Sequence, residues 1–210
     1  MRITKYGHSC LLVEDGDARM LLDPGAFSTG FEDLRGLTAV LVTHQHADHL
    51  DIDRLLPLLE ANDGVEVLAD PESAQALIGR GLGVSTVDAG ATRVLGGLDI
   101  EMIGSRHAVI HPDIPTVANV GYLLGGKLFH PGDAYTLPDR AIELLALPLV
   151  APWTKLSETV DYLRAVRPRL ALPIHDAIVS MPQVYVGNIE RLAPEGTALR
   201  LLDAGVPAEL

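Results

Sequence analysis

The sequence predicts two β-sheets packed face to face with helices outside, on three observations. Short apolar runs recur between turn residues, a hairpin twice runs into an aspartate, and a later buried strand twice stops at a histidine. In the first half, residues 11–14 and 18–23 read as strands joined at Asp15-Gly16-Asp17 and running into Asp23-Pro24-Gly25. Residues 39–43 form a continuous apolar run, the pattern of a buried strand, which ends at His44. A helix is expected from Asp51 or Asp53, with Pro57 limiting where it starts. Residues 65–69 form another strand. Asp70-Pro71 then supplies an N-cap and a proline at the first helical position, opening a helix to about Gly79.

The second half repeats this grammar. Residues 98–103 read as a strand, and residues 120–124 and 127–129 as a hairpin around Gly125-Gly126 that runs into Pro131-Gly132-Asp133. Leu156, Val160 and Leu163 lie at helical spacing, which predicts an amphipathic helix over 154–166. Residues 170–174 form a short apolar strand ending at His175, much as 39–43 ended at His44.

Composition bounds the function. A chain of 210 residues with 48% apolar and 21% charged residues is expected to fold as one domain over 1–210. A net charge of −12 without any basic run argues against nucleic acid as partner, leaving a small-molecule substrate and, equally compatible, a homo-oligomer. The single cysteine, Cys10, allows no intrachain disulfide and reads as a small buried residue. The first residues lack the apolar segment of a signal peptide. The longest candidate for a membrane span, 141–153, contains Glu143 and two prolines, so no membrane association is expected and the cytoplasm is the expected compartment.

The chemistry concentrates in His44-Gln45-His46-Ala47-Asp48-His49. Four metal-capable side chains fall within six residues directly after a buried strand, and imidazole and carboxylate are the ligand types that zinc accepts. On an extended loop, residues two apart project to the same side, so His44 and His46 suit one ion while Asp48 and His49 face a second. One loop cannot complete two coordination shells. His107 after the strand at 98–103, Asp133 after the second hairpin and His175 after the strand at 170–174 are the candidates to complete them.

His-x-His-x-Asp-His, with these companions in this order, resembles the signature of the metallo-β-lactamase superfamily. Asp23 resembles its first motif, His107 its third, Asp133 its fourth and His175 its fifth, so the likeness spans residues 6–176. Tyr6-Gly7-His8-Ser9, Asp23-Pro24 and His130-Pro131-Gly132-Asp133 resemble the compact branch that includes ascorbate-6-phosphate lactonase and related hydrolases. The resemblance implies an α/β fold, a four-layer αββα sandwich of two mixed sheets with outer helices. It also implies that His44, His46 and His107 hold one ion, Asp48, His49 and His175 the second, and Asp133 both. Asp23 would orient a ligand histidine. Two divalent ions are therefore expected. Zinc is favoured because His46 stands where the oxygen-reducing di-iron members carry glutamate, although the branch also admits manganese.

The activity implied is hydrolysis of a small ester, lactone or phosphodiester by metal-activated water, with Asp48 and Asp133 as the principal catalytic candidates. His8 either reaches the metal edge, as a hydrogen-bond donor to a ligand or as a proton relay, or is a hydrogen-bonded core residue. His111 either lines the substrate pocket or replaces His107 as ligand; His107, nearer the strand, is the expected one. His130 is expected to support the turn that presents Asp133, Asp176 to cap a turn, and Trp153 and Tyr135 to be pocket wall or core. The alternatives are a phosphodiesterase acting on a small nucleotide and, from another class, a metal-binding module without turnover. With no export signal apparent, no room for an inserted nuclease domain and about 35 residues after His175, none of the branches that carry an inserted nuclease domain, an export signal or a C-terminal glutathione-binding domain is expected.

Overall fold

The computed structural model describes residues 1–210. The first half runs β1 (Arg2–Lys5), β2 (Leu11–Asp15), β3 (Ala18–Leu22), β4 (Ala39–Val42), α1 (Ile52–Glu60), β5 (Glu66–Ala69), α2 (Pro71–Ile78) and β6 (Ser85–Thr86). The second half runs β7 (Thr92–Leu95), β8 (Leu98–Ile103), β9 (Gly121–Leu124), β10 (Leu128–His130), β11 (Leu144–Pro148), α3 (Leu156–Val166), β12 (Leu170–Ile174), α4 (Pro182–Leu192) and β13 (Ala198–Leu199). The short β14 (Ala208–Glu209) closes the chain. No helix is long and apolar enough to cross a membrane.

The two halves match strand for strand. One sheet has the order β14-β1-β2-β3-β4-β5-β6 and the other β7-β8-β9-β10-β11-β12-β13 when read from the corresponding edge. In each, the first four strands are antiparallel and the last three are added in parallel. Parallel neighbours need a crossover: non-helical segments 23–38 and 131–143 join β3 to β4 and β10 to β11, and α1 and α2 in one half and α3 and α4 in the other supply the rest. The place that β7 holds in the second sheet is filled in the first by β14, which returns from the far end of the chain to pair with β1.

Alternation along the strands sets the layers. Leu11, Val13, Met20, Leu22, Ala39 and Leu41 point into a core of 24 buried residues, shared with Tyr122, Leu144, Ala146, Leu172 and Ile174 of the second sheet. Their neighbours Leu12, Leu21, Val40 and Val42 face the other way, onto Leu55 and Leu58 of α1 and Leu77 of α2. Leu145, Leu147 and Ala171 likewise face Val160 and Leu163 of α3 and Ile189 of α4. Three apolar interfaces between four layers are the αββα sandwich. Strands covered on both faces must be apolar throughout, which is why 39–43 and 170–174 read as unbroken apolar runs.

The structure departs from the sequence reading in places. The stretch 141–153, weighed only as a membrane span, supplies β11, the fully buried strand between β10 and β12. It therefore matches β4, and the strand that ends at His175 matches β5. The two histidine-ending strands are thus neighbours of corresponding strands, one place apart. Helix α1 starts after Asp51, whose side chain caps Arg54 N, and runs through Pro57 instead of being bounded by it. β1, β6, β7, β13, β14 and α4 had no counterpart in the expectation; most are edge elements too short or too polar to carry a period. Leu41, wholly buried between the sheets, tests the central interface: Leu41→Ala should lower the unfolding free energy by about 2–5 kcal/mol, read from denaturant unfolding of chelator-treated protein.

Candidate metal centre

The site forms where the strands of both sheets end. Loops after β3, β4, β10 and β12, with the segment between β8 and β9, bring Asp23, His44, His46, Asp48, His49, His107, Asp133 and His175 to one edge of the sandwich. Two close approaches of backbone make this possible. A Cβ on Gly25 would lie 1.9 Å from the Asp48 carbonyl oxygen, and one on Gly132 would lie 2.3 Å from Asn119 Oδ1 and 2.8 Å from Thr43 Cβ. Glycine at these positions lets the Asp23 and Asp133 turns press against the histidine loop.

Asp23 is fully buried and accepts three hydrogen bonds. Thr43 N donates to Oδ1 at 2.8 Å, Thr43 Oγ1 donates to Oδ2 at 2.8 Å, and His49 Nδ1 donates to Oδ2 at 2.7 Å. The Thr43 hydroxyl, its proton committed to Asp23, accepts from His44 Nδ1 at 3.0 Å. One carboxylate thereby fixes a ring proton on Nδ1 of His49 and, through the Thr43 hydroxyl, of His44, and turns each Nε2 into the site. His107 is set the same way, with Nδ1 donating to the Ala108 carbonyl. The Nε2 atoms of His44 and His107 are buried without a hydrogen-bond partner.

The donors gather in overlapping groups. His44, His46 and His107 have their ring centroids 4.7–5.0 Å apart. His49 Nε2 and His175 Nε2 stand 3.1 Å from each other and 3.0 and 2.9 Å from Asp133 Oδ1. The other Asp133 oxygen, Oδ2, lies 3.3 Å from His107 Nε2 and accepts Trp153 Nε1–H at 2.7 Å. Asp133 thus faces both groups. His44 with His49 and Asp133, and His8 with His49 and His175, also have their donor atoms within 4.8 Å of one another.

The electrostatics suit cations. Burial keeps His44 well below the usual histidine range, and therefore neutral, the form that ligates. Burial also lowers His46. For Asp133, burial acts upward, but His175 and His49 outweigh it and hold the carboxyl well below its ordinary value. For Asp48, burial again acts upward, yet the His8 hydrogen bond and His49 bring it down to about 2. Burial lowers His49, but Asp133 and Asp23 outweigh it and raise it well above the ordinary value. Ring nitrogens 3.1 Å apart beside a carboxylate, with further imidazole nitrogens buried and unpaired, form a donor cluster that could hold a cation. The nitrogen and oxygen donor set is the one divalent zinc-class ions take.

The remaining candidates divide. His8 is buried, with Nε2 3.0 Å from Asp48 Oδ2. His111 lies on an exposed loop, where its Nδ1 accepts from Asp113 N at 3.2 Å, and it is in none of the donor groups. His130 supports the Asp133 turn: Nε2 donates to the Ser9 carbonyl and Nδ1 accepts from Gly132 N. Tyr135 packs on Trp153 and bonds Thr159. Asp176, read as a turn cap, is paired with buried Lys5, whose Nζ also donates to the Pro173 carbonyl at 2.8 Å.

Sequence reasoning passed over Thr43, Asn119 and Lys5. Asn119 Oδ1 accepts from Asp133 N and its amide donates to the Pro131 carbonyl, so it braces the Asp133 turn. A polar residue closing an apolar strand was the available signal for Thr43, and a lone lysine in β1 the signal for Lys5. Asn119 left none. Three of the four non-glycine residues with positive φ are His8 (42°), Asp23 (45°) and His175 (65°), a concentration of backbone strain around the donors.

Comparison with known proteins agrees with this geometry. The model for the Beta-lactamase superfamily domain matches residues 2–175. Protein Rv0786c of Mycobacterium tuberculosis is 47% identical over 91% of this chain and 92% of its own length. The UPF0173 metal-dependent hydrolase MJ1163 of Methanocaldococcus jannaschii is 25% identical over 99% of this chain and 100% of its own. The crystal structure of the metallo-beta-lactamase fold protein YhfI from Bacillus subtilis superposes with a TM-score of 0.77 at 15% identity, covering 99% of this chain and 98% of that one. Because Asp23 orients His49 directly and His44 through Thr43, Asp23→Asn should weaken binding of added zinc about 10–100-fold, read by competition with a chromophoric chelator. Thr43→Val, which removes the partner of His44 Nδ1 but leaves Asp23 on His49 Nδ1, should weaken it less.

Proposed function

The chain belongs to the beta-lactamase superfamily, and on that premise we propose that it is a metal-dependent hydrolase of a small ester or lactone that works with two zinc-class ions. The observation that carries this reading is Asp133. One oxygen meets His49 and His175 at 2.9–3.0 Å while the other stands 3.3 Å from His107, so a single carboxylate spans two donor groups. His44, His46 and His107 would hold one ion and Asp48, His49 and His175 the other, with Asp133 shared. Bound there, such ions lower the proton affinity of water and polarise the scissile carbonyl.

The chain's own groups do the rest. Asp23 and Thr43 keep the Nε2 atoms of His49 and His44 aimed inward, so no rotation has to be undone when substrate arrives. Trp153 donates to Asp133 Oδ2 and restrains the carboxylate that both groups share. Asp48, partly exposed and held by His8, would orient the attacking water at the mouth; lowered to about 2, it is a weak base.

The loops that carry these residues also carry exposed Phe27, Val109, Ile114, Ile178 and Met181. Beyond His175, a groove lined by Ile178, Val179, Ser180, Met181, Val184 and Tyr185 has no charged side chain. An apolar surround accommodates an ester or lactone more readily than an anionic phosphodiester, which would call for Lys or Arg.

Gently purified protein should contain about two zinc ions per chain by elemental analysis, and both His46→Ala and Asp133→Ala should lose metal. Wild-type protein should hydrolyse p-nitrophenyl acetate, lose that activity to chelator and regain it with zinc. Metal-free protein that takes up no added zinc would overturn the reading; turnover of bis-p-nitrophenyl phosphate in preference to the ester would overturn the substrate class.

A further inference from the structure

We propose that His8 is a positioning residue for the second cation position, holding Asp48 and His175, two of the donors expected there, in register with one another. The inference rests on the two-ion reading above and gives His8, which stands in a donor group with His49 and His175, a role other than that of a ligand. His8 touches both donors in different ways. Its Nε2 lies 3.0 Å from Asp48 Oδ2, and because an ionised carboxylate can only accept, the ring donates. Its ring stacks on that of His175, with centroids 4.5 Å apart and planes within 7°. Its backbone carbonyl accepts from His175 N at 3.2 Å. Three contacts of different kinds therefore converge from one residue on two donors that are 127 positions apart in sequence (175 − 48).

The ring has little freedom to do anything else. Phe27 meets it edge-on at 5.3 Å and 82°, and His49 at 5.7 Å and 79°, so it is confined between three aromatic neighbours. Its backbone is held at a positive φ although it is not glycine, and its Nδ1 is buried without a partner. Both features cost stability, and a purely structural residue at this place would avoid both. His44, His46 and His107 receive no such contact from His8, so its influence is confined to one of the two positions.

The test separates the two positions. Zinc alone is titrated into chelator-stripped wild type, His8→Phe and His8→Gln, with a chromophoric chelator as competitor and thermal unfolding of each zinc-free protein recorded alongside. Phenylalanine keeps the stacking partner and removes the donor; glutamine keeps a donor of similar reach. The expected result is that His8→Phe retains one of the two zinc affinities and loses about 10–100-fold at the other, while His8→Gln recovers part of that loss. Two unchanged affinities in His8→Phe would overturn the assignment. Equal weakening at both positions, following a fall in thermal stability, would overturn it in favour of a structural role. Wild-type protein that binds fewer than two zinc ions would overturn the two-ion reading itself, and the His8 assignment with it.

Discussion

A carboxylate removed from water is costly unless its oxygens are fully hydrogen-bonded, and the bonds that satisfy Asp23 are the ones the rest of the site depends on. Thr43 N, Thr43 Oγ1 and His49 Nδ1 all donate to it. Charge-assisted hydrogen bonds of this kind contribute about 1.5–3 kcal/mol each, and here they tie the end of β3 to the end of β4 and to the far side of the histidine loop. The same bonds decide which nitrogen of His49 and, through the Thr43 hydroxyl, of His44 carries the proton. Stability of the loop and readiness to ligate are therefore one interaction viewed from two sides.

The matched halves show why the site lies where it does. Each half runs an antiparallel meander into parallel strands, so β3, β4, β10 and β12 deliver their ends to the same edge of the sandwich. The first half contributes the histidine loop after β4, and the second contributes Asp133 after β10 and His175 after β12. Corresponding strands do not carry corresponding ligands. Trp153 follows β11, the counterpart of β4, and bonds the Asp133 carboxylate; Asp70 follows β5, the counterpart of β12, and caps α2. A symmetric scaffold thus supports an asymmetric centre, with donors gathered on both sides of Asp133.

Burial and strain are concentrated together. His44, His49 and His175 are almost inaccessible, while His46 and Asp48 remain partly open, which leaves the centre approachable from one side. The αL residues His8, Asp23 and His175 are held by bonds at both backbone and side chain, so the packing offsets their unfavourable φ. That rigidity suits a site in which donor positions must be set before a cation or a substrate arrives.

The clustering of candidate donors and the layered architecture were legible in the sequence because they rest on local facts. Three histidines and an aspartate within six residues have one economical chemical meaning, and continuous apolar runs of strand length mean burial on both faces. His130 was legible too, through its place beside the Asp133 turn. What the sequence left open depends on which residues meet across long separations. The strand β11 was hidden because an apolar run with two prolines has no period of its own. Trp153 could have been wall, core or partner until its indole N–H was seen on Asp133; Thr43, Asn119 and Lys5 act only through neighbours brought by the fold. His111, four residues after His107, matched it in residue type but lies in an exposed loop outside the donor groups. Residue types and their order determined the chemistry available to this chain; the tertiary structure alone decided which nitrogen faces inward and which groups stand within 3 Å, because those depend on contacts between segments that no local pattern encodes.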